Sequence, residues 1–280
     1  MTIFSSNAEG LVPFIATKQY KEFKEICDYV RRKRAMGLIH GKAGAGKSRA
    51  ALRYVEEQGR MAVNGESPVF YIHLEQTDKT DRAFYNALVA TILKQPPENT
   101  TATVASNEAK RLLIKYQYEF VFIDEFQFLQ DSGLEAVRTL WDKLHIPMMF
   151  FTMTEFTGKL VKARYDQLRT RIVKVFPFDT LKIEQIKRDL LPNLDKHAHL
   201  TYSPTQDDAE AIAKTLFKVT GGNFRDIIKI LDQANELIEL SLLARKHVLK
   251  TKPDEAPPDL YTFDAQLIIE AAEMTKGLGL

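Results

Sequence analysis

The stretch that decides the fold is Gly41-Lys42-Ala43-Gly44-Ala45-Gly46-Lys47-Ser48. It matches G-x-x-x-x-G-K-[ST] at every fixed position, a pattern typical of loops that hold the phosphates of a nucleotide. A short apolar stretch, residues 37–40, precedes it, and residues 48–58 are predicted to form a helix. Backbone N–H groups of a glycine-rich turn at a helix N-terminus bind anionic oxygens. The stretch therefore predicts a strand, a phosphate-binding loop and a helix in succession.

The loop predicts separate roles for its last two residues. Lys47 is expected to reach the β- and γ-phosphates, and the Ser48 hydroxyl to bind Mg²⁺. The residues expected to contact the nucleotide are the eight loop residues, 41–48, and the following Arg49. ATP and Mg²⁺ are therefore the expected cofactors.

A second motif, Phe120-Val121-Phe122-Ile123-Asp124-Glu125, consists of four apolar residues and two acids. The apolar run predicts a strand that is buried on both faces, as in a parallel sheet. Open α/β sheets bind ligands beyond the carboxyl ends of their strands, so acids placed there suit a metal or a reacting water. We expect Asp124 to complete the Mg²⁺ site and Glu125 to polarise the attacking water. The two motifs together predict a domain that binds and hydrolyses ATP.

Composition restricts the other classes of function. The chain has 280 residues, 45% of them hydrophobic, which suits one large domain or a core with a smaller appended one. The longest apolar run, around residues 146–153, is far shorter than a membrane span, and the N-terminus lacks the features of a signal peptide. Cys27 is expected to be a buried apolar residue in a reducing compartment. We expect a bacterial cytoplasmic protein with no membrane partner. Because the net charge is +2, any nucleic-acid contact must come from a local patch.

Apolar strands alternate with helices over the first part of the chain. Strands are predicted at residues 37–40, 69–73, 120–123, 147–154 and 171–176. This alternation predicts an α/β fold with a five-stranded parallel sheet flanked by helices. Beyond residue 178 the sequence has helical patterns only. The predicted domains are residues 1–178, an N-terminal helix and ATPase core; residues 179–245, a small helical lid; and residues 246–280, a linker and C-terminal helix.

A P-loop core of five strands followed by a helical lid resembles the AAA+ ATPases over most of the chain. The resemblance implies a polar residue at the end of the fourth strand that orients the attacking water, and Thr152 and Thr154 match this position. It also implies an arginine finger ahead of the fifth strand, which acts on the γ-phosphate of the neighbouring subunit. Arg169 and Arg171 both match, and the sequence does not choose between them.

The stretch from Gly221 to Asp226 (Gly-Gly-Asn-Phe-Arg-Asp) resembles the second sensor motif of the same superfamily. Paired glycines followed by Asn223 favour the start of a helix. The resemblance implies that Arg225 contacts the nucleotide and reports loss of the γ-phosphate to the lid.

Within AAA+ the chain is similar to transposition regulators of the TnsC/TniB kind, which are related to MuB and IstB. The resemblance is carried by the chain length, the Tyr71-Ile72 strand with a polar loop after it, the Ile-Asp-Glu motif and the Gly-Gly-x-x-Arg lid start. It implies a homo-oligomer, a ring or helical filament, that assembles on double-stranded DNA with ATP. Such oligomers recruit or activate a transposase and take signals from a target-selection protein, which in CRISPR-associated transposons is an RNA-guided complex.

DNA contacts in such oligomers come from the loops after the second strand and before the Asp124 strand. Here those loops offer basic and hydroxyl side chains, which suit phosphate contacts that are sensitive to salt and indifferent to base sequence. The candidates are Lys79, Arg82, Thr101 and Thr103, with Thr100 and Lys110 beside them.

Two other functions fit the same motifs. One is a replication initiator or helicase loader of the AAA+ superfamily. Residues 246–280 are expected to be too few for the DNA-reading domain that initiators usually append, which weakens the initiator but not the loader. The other is an AAA+ signalling or chaperone ATPase that acts on protein partners.

Overall fold

The computed structural model describes residues 14–62, 66–96, 100–194, 206–252, 256 and 258–277. The chain forms two compact units. One consists of residues 18–179, and the other of residues 180–280 with the segment that ends at Thr17. Each unit has an apolar core of its own.

The first unit contains one sheet of five parallel strands. The strands are β1 (Met36–His40), β2 (Val69–His73), β3 (Phe120–Asp124), β4 (Met148–Thr152) and β5 (Ile172–Pro177). Their order across the sheet is β2-β3-β4-β1-β5. Every residue of β3 and β4 is buried, which is why these strands are continuous apolar runs and not alternating ones. The predicted five-stranded parallel sheet is confirmed.

Seven helices accompany this sheet in the described residues of the first unit. They are α1 (Lys18–Lys33), α2 (Lys47–Met61), α3 (Asp81–Leu93), α4 (Ala102–Lys115), α5 (Asp131–Leu144), α6 (Phe156–Leu160) and α7 (Asp166–Arg169). Two begin at threonine caps, since Thr80 accepts from the N–H of Ala83 and Thr101 from that of Val104. The Thr101 cap starts α4 at Ala102, within the polar stretch that precedes the β3 strand.

The two faces of the sheet are packed differently. On one face, aromatic rings of α1 and α2 meet those of the central strands, with Phe23 and Tyr54 against Phe122 and Phe151. On the other face α3, α4 and α5 supply a mostly aliphatic core. With both faces covered, the sheet presents its polar groups at the carboxyl ends of the strands.

Strand register brings the motif residues to one edge of the sheet. His40, the last residue of β1, pairs with Thr152 at the end of β4, and His73 of β2 pairs with Asp124 of β3. The loop after β1, the acids after β3 and the polar end of β4 are therefore neighbours.

The regular elements of the second unit are all helical in its described residues. Its helices are α8 (Ile183–Gln185), which continues into a π-helical turn (Ile186–Leu190), α9 (Gln206–Thr220), α10 (Phe224–Thr251) and α11 (Ala265–Gly277). The buried members of its core are all leucine, isoleucine or alanine. At the start of α10, Asn223 accepts from the N–H groups of Arg225 and Asp226, a typical N-cap.

The ends of this unit differ from the predicted domain limits. The predicted boundary between residues 245 and 246 lies inside α10, which runs on to Thr251. The first proline after the predicted boundary is Pro253, so no proline ends the helix earlier. Lysines such as Lys250 are also favourable in the last turn of a helix. Residues 14–17, which the sequence places with the ATPase core, group with the helical unit, and Ile15 packs on the core of that unit.

Two expectations from composition concern single features. Cys27 is fully buried in α1, as expected for a small apolar residue. No helix in the described ranges has the length and apolarity that a membrane crossing requires.

Candidate nucleotide-binding site

The loop between β1 and α2 turns at its glycines. Gly44 and Gly46 have φ of 77° and 103°, a region that other residues rarely adopt. Gly41 packs against the backbone of Phe178, and a Cβ there would lie 2.1 Å from the Phe178 carbonyl oxygen. The Gly41 N–H donates to the Thr152 carbonyl at 3.2 Å, which ties the loop to the end of β4. The backbone therefore requires the glycines of the motif.

Lys47, the first residue of α2, is a buried cation with only 8% of its surface exposed. Its ammonium donates to the carbonyls of Gly41 at 2.7 Å and Lys42 at 3.0 Å, so the positive charge is held against the loop. Lysine is almost never this buried without a functional or electrostatic reason. A fixed cation beside the N-terminus of a helix provides an environment for an anion.

The Asp124 carboxylate accepts hydrogen bonds from side chains of α2 and β2. The hydroxyls of Ser48 and Tyr71 donate to the same carboxylate oxygen, Tyr71 at 2.6 Å. The N–H of Glu125 donates to the other oxygen at 2.8 Å, and Nδ1 of His73 lies 3.7 Å from the carboxylate. Asp124 is thus the centre of the polar network at the ends of β2 and β3.

The protonation of this network follows from its contacts. Burial alone raises the pKa of Asp124, but the interactions with His73, Ser48 and Tyr71 outweigh burial and hold that pKa below its ordinary value. The Asp124 carboxylate in turn raises the pKa of His73, against the effect of burial. Burial, together with Asp124, raises the pKa of the Tyr71 hydroxyl. Asp124 is therefore a carboxylate at neutral pH.

Ser48 and Asp124 have the chemistry of a Mg²⁺ site. A hydroxyl and a carboxylate in direct contact are hard oxygen ligands of the kind that Mg²⁺ takes, along with phosphates and water. The described part of the chain holds no group of three or more His, Cys, Asp or Glu side chains that binds a metal by itself. The residues present fit a Mg²⁺ ion that arrives with a nucleotide.

Glu125 follows Asp124 in a left-handed backbone conformation, with φ of 55°. Its carboxylate accepts a hydrogen bond from the side-chain amide of Gln127. The Gln127 oxygen accepts from the Thr152 hydroxyl at 3.0 Å and from the Met153 N–H at 3.3 Å. The acid expected to activate water is thus connected to the end of β4.

Thr152 and Thr154, the two threonine candidates at the end of the predicted fourth strand, differ in position. Thr152 is the last residue of the strand and is buried within the site, whereas Thr154 is exposed. The carbonyl of Thr154 accepts from both the N–H and the hydroxyl of Thr157 at the start of α6. Of the two, Thr152 is the one that the structure brings to Glu125, through Gln127.

The two candidate finger arginines are held to different extents. Arg171 pairs with Asp142 at 2.9 Å, donates to the Gln167 carbonyl and lies 5.5 Å from the Trp141 ring centre. Arg169 is 55% exposed, and the contacts described for it are to Asp166, one turn earlier on α7. The sequence could not distinguish the two residues, and the ion pairing separates them.

The side chains of the remaining candidates take no part in the hydrogen bonds described above for this site. Arg225 is exposed in the first turn of α10, in the helical unit. Lys79 and Arg82 are exposed around the start of α3. Thr101 caps α4, so its hydroxyl already accepts a hydrogen bond, and Thr103 is exposed in the first turn of the same helix. The loop residues Lys42 and Ala43 and the following Arg49 are exposed beside Lys47.

Three residues of the site are not among the sequence candidates: Tyr71, His73 and Gln127. Tyr71 and His73 alternate along β2, and the pairing of β2 with β3 brings them to Asp124. The signal available in the sequence is a pair of polar residues, two apart, at the end of an apolar strand. Gln127 comes two residues after Glu125, and no sequence pattern assigns it a role.

Comparison with known proteins finds two sequence similarities. Residues 30–160 match the family model described as an AAA domain. A potential ATP-binding protein of Staphylococcus aureus is 25% identical over 248 residues, which is 81% of this chain and 90% of that protein.

Two solved structures with a similar fold are ORC proteins of Aeropyrum pernix. ORC2, in ADPNP–ADP complexes, has a TM-score of 0.64 and 13% identity, over 97% of this chain and 70% of that one. ORC1 in complex with DNA has a TM-score of 0.58 and 15% identity, over 96% of this chain and 79% of that one. At such identities the likeness concerns the fold, and the chain has the fold of the AAA+ P-loop NTPases, with a parallel sheet of five strands flanked by helices and further helices at its C-terminal end.

Proposed function

We propose that the protein is an AAA+ ATPase that hydrolyses Mg²⁺-ATP and uses the nucleotide state to control an oligomer on double-stranded DNA. One observation carries the ATPase assignment: the contact of Ser48 with Asp124 beside the buried, loop-bound Lys47. A buried lysine and a buried carboxylate at one sheet edge are uncommon in a protein core, and both are already held by hydrogen bonds, so they suit a charged ligand such as a phosphate with its metal ion.

The residues of the site then divide the work. The N–H groups of the loop and Lys47 bind the phosphates, with Gly44 and Gly46 giving the backbone its turn. Ser48 and Asp124 hold Mg²⁺, which when bound neutralises phosphate charge. Asp124, a carboxylate at neutral pH because of its hydrogen bonds, needs no deprotonation before it binds the ion.

Glu125 acts on the water. The oxygen of that water forms a bond to the γ-phosphorus as the bond from phosphorus to the bridging oxygen breaks, which yields ADP and phosphate. Glu125 accepts the proton that the water loses. Its position supports this role, because Glu125 directly follows Asp124, the last residue of β3.

Assembly completes the site. We assign the finger to Arg169, which is more exposed than Arg171 and is bound only weakly, by a carboxylate on its own short helix. Arg171 is held by Asp142 and Trp141 and is suited to fixing the segment before β5. Arg225, at the start of α10, is proposed to report the nucleotide state to the helical unit.

Two observations support DNA as the partner. ORC1 of A. pernix, whose fold this chain shares, is seen in complex with DNA. Lys79 and Arg82 are exposed around the start of α3, where they are accessible to phosphates. Among DNA-dependent functions we favour a transposition regulator of the TnsC/TniB kind, on the motifs of the sequence. The likeness to ORC structures supports the second candidate, a replication initiator or helicase loader.

The test of the DNA assignment is retention of random-sequence duplex DNA on a filter, with ATP, ADP or no nucleotide. We expect retention that requires ATP and persists longer in Glu125→Gln. Changing Lys79 and Arg82 to alanine is expected to weaken binding and lower the salt slope by about one for each phosphate that the variant no longer neutralises. The matched control changes Lys246 and Lys250, which are exposed on α10, to alanine. ATP-independent binding, or none at moderate salt, contradicts the proposal.

A pair of reconstituted reactions separates the two candidates. In one, a purified transposase of the same genome joins its element to target DNA; in the other, the replicative helicase is loaded on a fork. Stimulation of the first reaction by ATP and this protein, blocked by Lys47→Ala, is the expected result. Stimulation of helicase loading alone favours the second candidate.

A further inference from the structure

We infer that Gln127 is a positioning residue for ATP hydrolysis: it orients the Glu125 carboxylate and connects it to the phosphate-binding loop. This inference rests on the proposed function, because it concerns the acid that activates water. Gln127 lies in a short 3-10 turn, Phe126–Phe128, directly after β3, and is partly buried.

The contacts of Gln127 fix which way its amide points. The NH₂ group donates to Glu125, while the oxygen accepts from the Thr152 hydroxyl at 3.0 Å and the Met153 N–H at 3.3 Å. The Glu125 carboxylate can only accept a hydrogen bond, and the Met153 N–H can only donate one. With the amide of Gln127 turned the other way, both hydrogen bonds would therefore be lost. Only a side chain with a donor and an acceptor at this reach satisfies both ends.

The backbone around Glu125 is held by a different contact, the packing of the next residue, Phe126. The left-handed φ of 55° at Glu125 is unfavourable for a residue with a side chain, so the surroundings must hold it. The following residue, Phe126, is fully buried and stacks on Phe150 of β4, with ring centres 4.1 Å apart. Phe126 anchors the main chain of the turn, which leaves Gln127 to anchor the carboxylate.

The link continues to the loop that binds phosphate. The carbonyl of Thr152 accepts from the N–H of Gly41, the first residue of that loop, at 3.2 Å. Three successive contacts thus run from Glu125 to Gln127, from Gln127 to Thr152 and from Thr152 to Gly41. A carboxylate held relative to the loop is held relative to the phosphate that the loop binds.

These contacts suit a general base whose carboxylate must keep a fixed position. Gln127 contacts one carboxylate oxygen, Oε2, and a carboxylate has a second oxygen to receive a water. Reacting groups that are displaced by about 1 Å react about a hundredfold more slowly. The advantage of Gln127 therefore lies in the rate of the chemical step and not in the affinity for ATP.

The test compares kcat, KM and ATP affinity of the full chain, with and without duplex DNA. Gln127→Met keeps the length and removes both polar groups, and Gln127→Glu keeps the shape and removes the donor. We expect either to lower kcat about 10- to 100-fold, with KM for ATP nearly unchanged. Thr152→Val removes one hydroxyl from the link and is expected to lower kcat about fivefold. The matched control is Gln130→Glu, the same change at an exposed residue three positions on.

A double variant identifies the route of the effect. In a Glu125→Gln background, Gln127→Met should cause no further loss, because the group that it positions is already gone. If the loss of kcat in the double variant is the product of the losses in the two single variants, Gln127 does not act through Glu125. A rise in KM by the same factor as the fall in kcat also contradicts the inference.

The failures of the two proposals are distinguishable. Full hydrolysis by Glu125→Gln overturns the role of Glu125 in the proposed function. An inactive Glu125→Gln with a fully active Gln127→Met overturns the inference about Gln127 and leaves the proposed function in place. If the Gln127 variants do not fold, Thr152→Val decides the same question, and an unchanged kcat in that variant is the contradicting result.

Discussion

The two units of this chain bury different kinds of side chain. The unit of residues 18–179 buries aromatic rings and, among the residues whose burial is described, all the buried polar side chains, which are Lys47, Asp124 and Thr152. The core of the helical unit contains only leucine, isoleucine and alanine at its buried positions. Both units have an apolar core, and among the residues whose burial is described only the first unit also buries polar side chains.

The difference separates the effects that substitutions should have. Buried ions are uncommon in a core and need partners, which Lys47 and Asp124 have in their hydrogen bonds, and two such charges at one sheet edge suit a charged ligand. An aliphatic core between helices contributes stability and no reactive group. Substitutions of the buried polar side chains in the first unit should therefore change ATP binding or hydrolysis, while substitutions at buried positions of the second should change the free energy of unfolding.

The largest expected effect is that of Glu125→Gln. Loss of the base should lower kcat for ATP hydrolysis about 100- to 10 000-fold. ATP affinity should stay nearly constant, because phosphate binding depends on the loop and Lys47. Phosphate release and binding of a fluorescent ATP analogue measure the two quantities. The matched control is Glu239→Gln on the exposed face of α10, and an equal loss there removes the contrast between the units.

Lys47→Ala is expected to act on binding. Its ammonium is buried against the loop, and removing a desolvated charge partner of this kind costs about 2–5 kcal/mol of binding free energy. ATP affinity should fall accordingly, and nucleotide-dependent oligomers should disappear. Calorimetric titration and light scattering are the measurements, with Lys246→Ala on α10 as control. Oligomers of Lys47→Ala that still require ATP contradict the role.

In the helical unit, Gly222→Ala should cost stability. Gly222 has a φ of 76°, and a Cβ there would lie 1.9 Å from the Leu181 carbonyl oxygen. Backbone strain and overpacking together should lower the free energy of unfolding by about 3 kcal/mol. Gly221→Ala is the matched control, since its φ is also positive but nothing lies within 4 Å, and it should cost about 1 kcal/mol. Denaturant unfolding with equal losses in both variants contradicts the steric argument.

The smallest effect separates two neighbours at the start of α10. Asn223→Ala removes the N-cap and should lower stability by about 1 kcal/mol. Arg225→Ala leaves the cap intact, so its thermal stability without nucleotide should not change, whereas its response to ATP should weaken. Thermal unfolding with and without ATP measures both. An ATP response in Arg225→Ala equal to that of the unchanged protein excludes Arg225 from the nucleotide response.

The fold could be predicted from the sequence because its signals are local. The Gly41–Ser48 pattern requires a strand, a turn and a helix in order, and the apolar run before Asp124 requires a strand covered on both faces. Contacts that depend on register were not predictable in this way. Tyr71 and His73 reach Asp124 only because β2 pairs with β3, and Gln127 reaches Thr152 only because β4 lies beside β3.

Side chains with several possible partners were also ambiguous. Arg169 and Arg171 are alike in sequence, and the difference between them arises from Asp142 and Trp141 on α5, a helix that precedes them in the chain. The length of α10 was underestimated because lysines and a threonine near its end resemble a linker in composition. Helix continuation depends on the absence of a breaker, and the first proline after Lys250 is Pro253.

The place of β1 between β4 and β5 has a consequence for how the protein is made. β1 is the first strand to be synthesised, yet its two partners, β4 and β5, are the last two strands of the unit. Pairings between distant segments form slowly, and chains with unpaired strands are exposed to aggregation while they wait. The loop after β1 cannot be tied to Thr152 and Phe178 until that late stage. Until residue 178 has been synthesised, the loop therefore lacks at least one of these contacts, and its final position depends on the last strands of the unit.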